Sequence, residues 1–414
     1  MNNILFFIVF FYSISAIAQT ELSINHFTID TGKFVLGTVN EFSMNSNGLN
    51  NKFIYQLSAD GYITSEIKNH ISSKLKANHQ FGGDINTSIF FSQRLDSIFK
   101  AKRFNYFIQA GSRTHFNGNF TKDLFNFTFF GNKKFAGKTA NLSGSNFSLL
   151  QYQQLQLGIF SHQKNNSKIG SSISLLNGRN YLSWDINQLT IHTDELGEQI
   201  DVNAVITKHQ SDTLNNTYKG LGLSLAFYYE KELNLSHLNE NFKGWFRFEV
   251  SDIGFINWNK NAITSSIDTV FEYKGFQIEN LLKINDSIFN ELDSIRDNSN
   301  FSKKESFQTI LPANLNITFA QSYKKHTLVV GAIHRIPANF NTYVYLQESY
   351  KLNDRYSIFG LIGYGGYGKT NIGIGGYLNY STFKLKIGSN NIEGLIVRNY
   401  SAGTNIYLSA KKYF

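Results

Sequence analysis

Hydrophobic and polar residues alternate with a period of two through most of the chain. Phe383, Leu385 and Ile387 interleave with Lys384 and Lys386, and Phe246, Phe248 and Val250 with Trp245, Arg247 and Glu249. Leu155, Leu157 and Ile159 alternate with Gln154, Gln156 and Gly158, and Leu315, Ile317 and Phe319 with Asn316 and Thr318. Such alternation gives a strand one greasy and one polar face. About 18 strand-like segments can be counted, mostly about 9–12 residues long, which suits tilted strands crossing a bilayer. Sandwich strands run shorter, near 5–6 residues. The turns between them are short and polar, as in Gly388–Asn391 and Leu352–Arg355.

The fold class expected is therefore all-β: a transmembrane antiparallel β-barrel of about 14–18 strands, the count centring on about 14–16, with short helical insertions. Three stretches break the alternation. Ile63, Ile67, Ile71 and Leu75 recur every fourth residue and predict an amphipathic helix over 62–76. Leu281, Ile284, Ile288, Leu292 and Ile295 predict another within 279–297. The aromatic stretch 120–137 is a third helical candidate. The chain then divides into a signal peptide (1–18), an N-terminal segment (19–78) able to plug the lumen through helix 62–76, and a barrel (79–414). That barrel carries insertions at 116–147 and 258–308. An even strand count between insertions puts all three on one side, and eight strands after the last would make that side periplasmic.

Composition agrees with this picture. The chain of 414 residues has 38 Phe, 22 Tyr and 3 Trp, only 2 Pro and no Cys, and is 17% charged. A soluble domain would carry about 25% charged residues and about 5% Pro. Without Cys, no disulfide or thiolate metal site can form. The apolar run Ile4–Ile17 ends in Ala16-Ile17-Ala18, the small-residue pattern of a secretory cleavage site. It is too short for a span of about 20 residues. Both prolines sit in similar tetrapeptides, Leu311-Pro312-Ala313-Asn314 and Ile336-Pro337-Ala338-Asn339, which predicts matching strand starts where a missing N–H is tolerated.

Signals for chemistry are weak. Gly363–Thr370 fits the pattern of a phosphate-binding loop, but the glycine-rich Asn371–Tyr377 that follows is a poor helix. The ten histidines show no paired spacing for a metal, and no Gly-x-Ser-x-Gly elbow occurs. No catalytic, cofactor-binding or metal site is expected, and no enzymatic activity. The net charge of +9 comes from dispersed lysines and arginines. These suit contact with anionic outer-membrane lipids rather than nucleic acid. Trp184, Trp245, Trp258 and the tyrosines are candidates for aromatic girdles. Trp245, Arg247 and Glu249 are expected to line the lumen if Phe246, Phe248 and Val250 face lipid.

The chain ends on Ile406, Leu408, Ala410 and Phe414 along one face, with Lys412 near the end. A last strand closing on an aromatic residue resembles the signal read by the barrel-assembly machinery. Phe120–Phe125, Ser251–Trp258, Leu311-Pro312 and Phe414 together resemble the Bacteroidota outer-membrane β-barrel family carrying a domain of unknown function. That family is in turn similar to long-chain fatty-acid transporter-like barrels. The resemblance implies location in the Gram-negative outer membrane, about 14 strands and an N-terminal plug. It implies a non-enzymatic barrel that admits or binds an apolar or amphipathic small molecule. Its alternative is a scaffold or anchor for a type IX secretion, gliding or surface-protein complex, with insertions 120–137 and 258–308 as docking surfaces.

Overall fold

A computed structural model describes residues 34–58, 61–98, 101–163, 166–214, 218–234, 242–274, 302–397 and 401–414. The signal-peptide stretch 1–18 and the helix expected within 279–297 lie outside the described residues. Fourteen strands close into an antiparallel barrel. In chain order the wall is β1 (Phe34–Ser46), β2 (Asn78–Ile98), β3 (Ala101–Thr121), β5 (Ser145–His162) and the first part of β6 (Ser167–Thr193). It continues through β8 (Gly220–Asn234), β9 (Phe242–Trp258), β13 (Ala313–Tyr323), β14 (His326–Ile336) and β15 (Asn341–Lys351). It finishes with β16 (Tyr356–Gly366), β17 (Thr370–Tyr380), β18 (Phe383–Asn391) and β19 (Gly403–Tyr413). Pairing of β1 with β19, from Val35 opposite Tyr413 to Asn45 opposite Gly403, closes the ring.

Burial is inverted relative to a soluble protein. On β5, Leu155, Leu157 and Ile159 are 45%, 48% and 49% exposed, whereas Gln154 and Gln156 between them are 5% and 3% exposed. The same outward greasy face recurs on β6 (Ile173, Leu175), β8 (Leu223, Leu225), β15 (Val344, Leu346) and β17 (Ile372, Ile374). This is the pattern of a wall in hydrocarbon around a polar interior. Tyr350, Tyr356 and Tyr380 stand exposed near one rim and Tyr364 near the other. The tryptophans do not join this girdle. Trp258 is 1% exposed beside Tyr181 and Phe307, Trp245 lies under the Arg247 guanidinium, and Trp184 sits beneath Lys208 beyond the wall.

The two ends differ. At the end holding Phe34 and Phe414, β13 and β14 are joined by Lys324-Lys325 alone, and β17 and β18 by Ser381-Thr382. The opposite end carries a cap. It contains α1 (Asn51–Ser58), α2 (Ser65–Lys74), α3 (Lys122–Phe130), a 3-10 turn (Asn132–Phe135) and α4 (Glu393–Ile396). It also contains β4 (Lys138–Asn141), β7 (Gln199–Gln210), β10 (Ile263–Lys274), β11 (Ser302–Lys304) and β12 (Gln308–Ile310). The far half of β6 rises out of the wall to pair with β7, and β7 pairs with β10. This accessory sheet has the alternation of a wall strand, so pattern alone does not distinguish it.

Helix α2 starts where Thr64 accepts from the Ile67 amide, and α3 where Thr121 accepts from the Leu124 amide. Gly131 at φ +73° ends α3. Ile63, Ile67, Ile71 and Leu75 pack on Phe53, Phe120 and Phe125, while Phe127 of the same α3 packs on Ile191, Val202 and Ile267 of the accessory sheet. Helix α3 therefore joins both halves of the cap.

Several expectations change. The wall begins at β1, inside the 19–78 stretch expected to precede it, and the predicted helix 62–76 lies between two wall strands as part of the cap. Its apolar stripe meets α1 and α3 instead of a lumen. The 116–147 insertion narrows to the residues between Thr121 and Ser145, because β3 and β5 run further than their alternation suggests. Seven wall strands, β13 to β19, follow the last insertion rather than eight, so the insertions lie at the end opposite Phe414. Pro312 does precede β13, but Pro337 follows β14, in the turn before β15. The phosphate-loop-like Gly363–Thr370 spans the end of β16, the turn at 367–369 and the first residue of β17, a strand in place of a helix.

Arginine at the exposed, mid-wall Leu157 is expected to destabilise the barrel by about 2–4 kcal/mol, and lysine at the neighbouring inward Gln156 by clearly less. Urea unfolding in detergent or lipid measures both. Equal costs would contradict the inside-out orientation.

Candidate functional site

The inner face of the barrel is polar, and near the capped end it is crossed by charged side chains. Asp84 of β2 holds three partners: Ser43 Oγ of β1 at 3.3 Å, His115 Nδ1 of β3 at 2.5 Å and Arg335 Nη1 of β14 at 2.7 Å. Strands β2 and β14 are on opposite sides of the ring, so the Asp84–Arg335 pair spans the lumen. A second bridge runs from Arg113 of β3, whose Nε donates to Gln154 Oε1 at 2.8 Å and whose Nη1 lies 3.4 Å from Asp252 Oδ2 of β9.

Asp252 reaches this position through a bulge. The β8–β9 ladder shifts between Leu225 and Phe227, so Ser251 and Asp252 together face Ala226. Asp252 takes φ +59°, and both residues are buried. An extra residue in one strand re-aims its side chain. Here it turns a carboxylate inward without moving the flanking Val250 and Ile253 off the lipid face.

Further contacts narrow the same end. His115 Nε2 lies 3.4 Å from the Tyr152 hydroxyl, and Glu41 accepts from Asn86 at 2.6 Å. Gln80 donates to the Gly366 carbonyl at 2.6 Å, and Tyr367 lays its ring on Gly82, where a Cβ would fall 2.5 Å from the ring. Asn339, in the β14–β15 turn, donates to Asn117 of β3 at 3.1 Å and also to Asn146 of β5.

Nearer the other end, Arg247 and Glu249 are buried, 7% and 4% exposed. Arg247 Nη2 lies 2.6 Å from Glu230, its Nε donates to the Tyr228 hydroxyl at 3.1 Å, and its guanidinium covers the Trp245 ring at 4.5 Å. Lys168 Nζ, 2.9 Å away, also binds Glu230. Phe414 is 54% exposed, stacks on Phe34 at 4.6 Å and donates its amide to the Phe34 carbonyl. It thereby fastens the last strand to the first.

The cross-lumen residues were not among those singled out from sequence. A signal existed: Asp84, Arg113, His115 and Arg335 are charged or titratable residues at inward positions of their strands. Periodicity shows such parity strand by strand, but which strands meet across the ring is a matter of closure.

The outer wall has its own concavity. An apolar groove of about 680 Å³, open on the lipid side, runs over β3, β5, β6, β8 and β9. Ile108, Leu157, Ile159, Ile173, Leu225 and Ile253 contribute to it, with Gly158 and Ala226 in its floor. At its edge, the Tyr106 hydroxyl donates to Gln93 at 2.6 Å.

Breaking one partner of a buried ion pair strands a charge, at a cost of about 3–5 kcal/mol. Arg335→Gln is therefore expected to destabilise the barrel strongly, and adding Asp84→Asn to recover part of the loss. A double-mutant cycle by urea unfolding is expected to give a coupling above about 1 kcal/mol. Additive losses would show that the two strands are not joined.

Comparison with solved structures finds loosely similar barrels. The P. putida toluene transporter TodX is 10% identical over 96% of this chain and 93% of that one, at a TM-score of 0.43. A Pseudomonas aeruginosa FadL homologue is 9% identical over 93% and 91%, at 0.45. The translocator domain of the autotransporter NalP from Neisseria meningitidis is 6% identical over 93% and 90%, at 0.36. The barrel assignment rests on this chain's own strand pairing. No curated protein sequence matches. The sequence profile of DUF5723, a family of unknown function, matches residues 30–390, and the chain belongs to that family.

Proposed function

We propose that the protein is an outer-membrane barrel that binds an apolar or amphipathic small molecule and takes it up from the membrane side. Placement in the outer membrane is supported by the even strand number, by both wall termini lying at one end, and by short turns there against long insertions opposite. By that rule the cap faces outward from the cell. The single observation that carries the binding reading is the apolar groove of about 680 Å³ on the outer wall, within the usual size of small-molecule sites, about 300–1,000 Å³.

Lipid is as apolar as the groove, so apolar contact alone gives little preference for one occupant. Selectivity has to come from shape and from the polar edge at Tyr106 and Gln93, which favours an amphipathic ligand. The burial of Arg247 and Glu249, on the face opposite Phe248 and Val250, supports a lumen-lining role for them alongside Trp245. Passage through the capped end would require the cross-lumen pairs to part.

A second reading, an anchor for a surface complex, draws on Tyr62, Leu196, Leu214 and Tyr218, which stand exposed on the cap. Purified full chain in nanodiscs, titrated with a fluorescent apolar amphiphile, tests the first reading. Saturable binding is expected, weakened about tenfold, or about 1.4 kcal/mol, by Leu225→Arg in a barrel that still resists unfolding at room temperature in detergent. Non-saturable partitioning, unchanged by that substitution, would remove the groove from the function. Recovery of a stoichiometric protein partner lost on substituting Leu196 and Tyr218 would favour the anchor.

A further inference from the structure

The wall segments that form the outer groove carry uncharged polar residues on their reverse side. On β3, β5, β6 and β8 the groove takes Ile108, Leu157, Ile173 and Leu225. Alternation turns their immediate neighbours Gln109, Gln156, Ser174 and Ser224 toward the lumen, and all four are buried. They stand side by side: Gln109 opposite Gln156, Gln156 opposite Ser174, and Ser174 opposite Ser224. Phe90 of β2 extends the row beyond Gln109, with its ring over Gly37 of β1, where a Cβ would collide with it.

Two oxygens in this row have no donor. Gln156 donates its Nε2 to the Ser172 hydroxyl at 2.7 Å. Its Oε1, and the Oε1 of Gln109 opposite, accept no hydrogen bond from any described residue. Gln109 is 2% exposed and Gln156 3%, so bulk water does not supply the missing donors. An acceptor left in this way is costly, and register sets the two side by side. Phe107, two residues along β3 on the same face, covers Gly158 and packs with Phe160 and Tyr228. The reverse of the groove is therefore an aromatic patch with two open acceptors beside it. The row itself brings no charge, and Arg113, four residues along β3, is held by Gln154 and Asp252.

We propose that Gln109 and Gln156 form a luminal site for an uncharged apolar molecule that carries a hydroxyl, an alcohol or a phenol. The hydroxyl donates to one Oε1, a second hydroxyl on the same molecule would take the other, and the apolar body lies on Phe90 and Phe107. A carboxylate would meet two oxygens of its own polarity. An ammonium could donate, but its charge would be buried with no carboxylate in the row to offset it. A hydroxyl donates without bringing charge. How such a molecule reaches the lumen rests on the uptake reading above; which molecule is held is set by the two acceptors.

Full chain in nanodiscs, titrated with para-nonylphenol, nonylbenzene or para-nonylbenzoate, tests this, with the excess retained over empty nanodiscs measured by mass spectrometry. Wild type is expected to hold nonylphenol about tenfold more tightly than either of the others. The double variant Gln109→Leu/Gln156→Met is expected to bring the three probes level. Gln109→Leu alone, without ligand, is expected to melt no lower than wild type in detergent, because it deletes an acceptor that has no donor. Leu225→Arg separates this site from the uptake reading. Weakening of all three probes with the hydroxyl preference kept supports both, whereas unchanged binding of all three removes the groove and leaves the preference standing. Equal retention of the three by wild type, or a hydroxyl preference that survives the double variant, overturns the proposal. So does a clear fall in the melting temperature of Gln109→Leu, which would show that water already satisfies its oxygen.

Discussion

Every part of this structure depends on one constraint: inside hydrocarbon, no backbone N–H or C=O can be left without a partner. A sheet satisfies that only by having no edge. The β1–β19 ladder removes the edge here, and it makes the first and last strands of the wall structurally inseparable. Phe414 stacking on Phe34 adds a contact at the seam where the first and last strands meet. Closure also fixes which side chains meet in the interior, and the interior is where the chemistry of this protein is concentrated.

Closure gives the two faces opposite tasks. Outward positions need only be apolar, so they repeat in Leu, Ile, Val and Phe. Inward positions are shut away from bulk water at the capped end, yet they are polar, so each must find a partner or remain costly. The Asp84–Arg335 and Arg113–Asp252 pairs answer this by reaching across the ring, and the bulge at Asp252 supplies one of the four charges. A buried pair of this kind adds little net stability, but it makes the relative position of opposite walls specific. Nearer the other end, Lys384, Lys386 and Lys411 lie over the rings of Tyr413, Tyr407 and Phe90.

Much of the fold could be read from the chain. The period-two alternation places Leu385 and Ile387 outward and Lys384 and Lys386 inward without any structural knowledge, because a strand's side chains alternate whatever it pairs with. The fourfold recurrence of Ile63, Ile67, Ile71 and Leu75 marks a helix for a similarly local reason. Pattern failed where two structures share one period. The far half of β6 and strand β7 alternate like wall strands yet form a sheet above the membrane, and β1 was taken with the segment before the barrel. Strong alternation surrounds Arg247 and Glu249, and both are buried. Asp84, His115 and Arg335 were not legible as partners, since nothing local in β2, β3 or β14 tells which strands face each other.

By itself, then, the sequence determined the class of structure: an inside-out wall of alternating strands with apolar helices inserted between some of them. Those properties are set by residues within a few positions of one another. Tertiary structure alone decided that fourteen of the strands form the ring, that the end carrying the insertions is the one opposite Phe414, and that charges far apart in sequence bridge the lumen. The physical reason is that closure is a global condition. Pairing β1 with β19 sets every strand's place around the ring, and only then does Asp84 stand across from Arg335, or Phe90 reach over Gly37 towards Lys411.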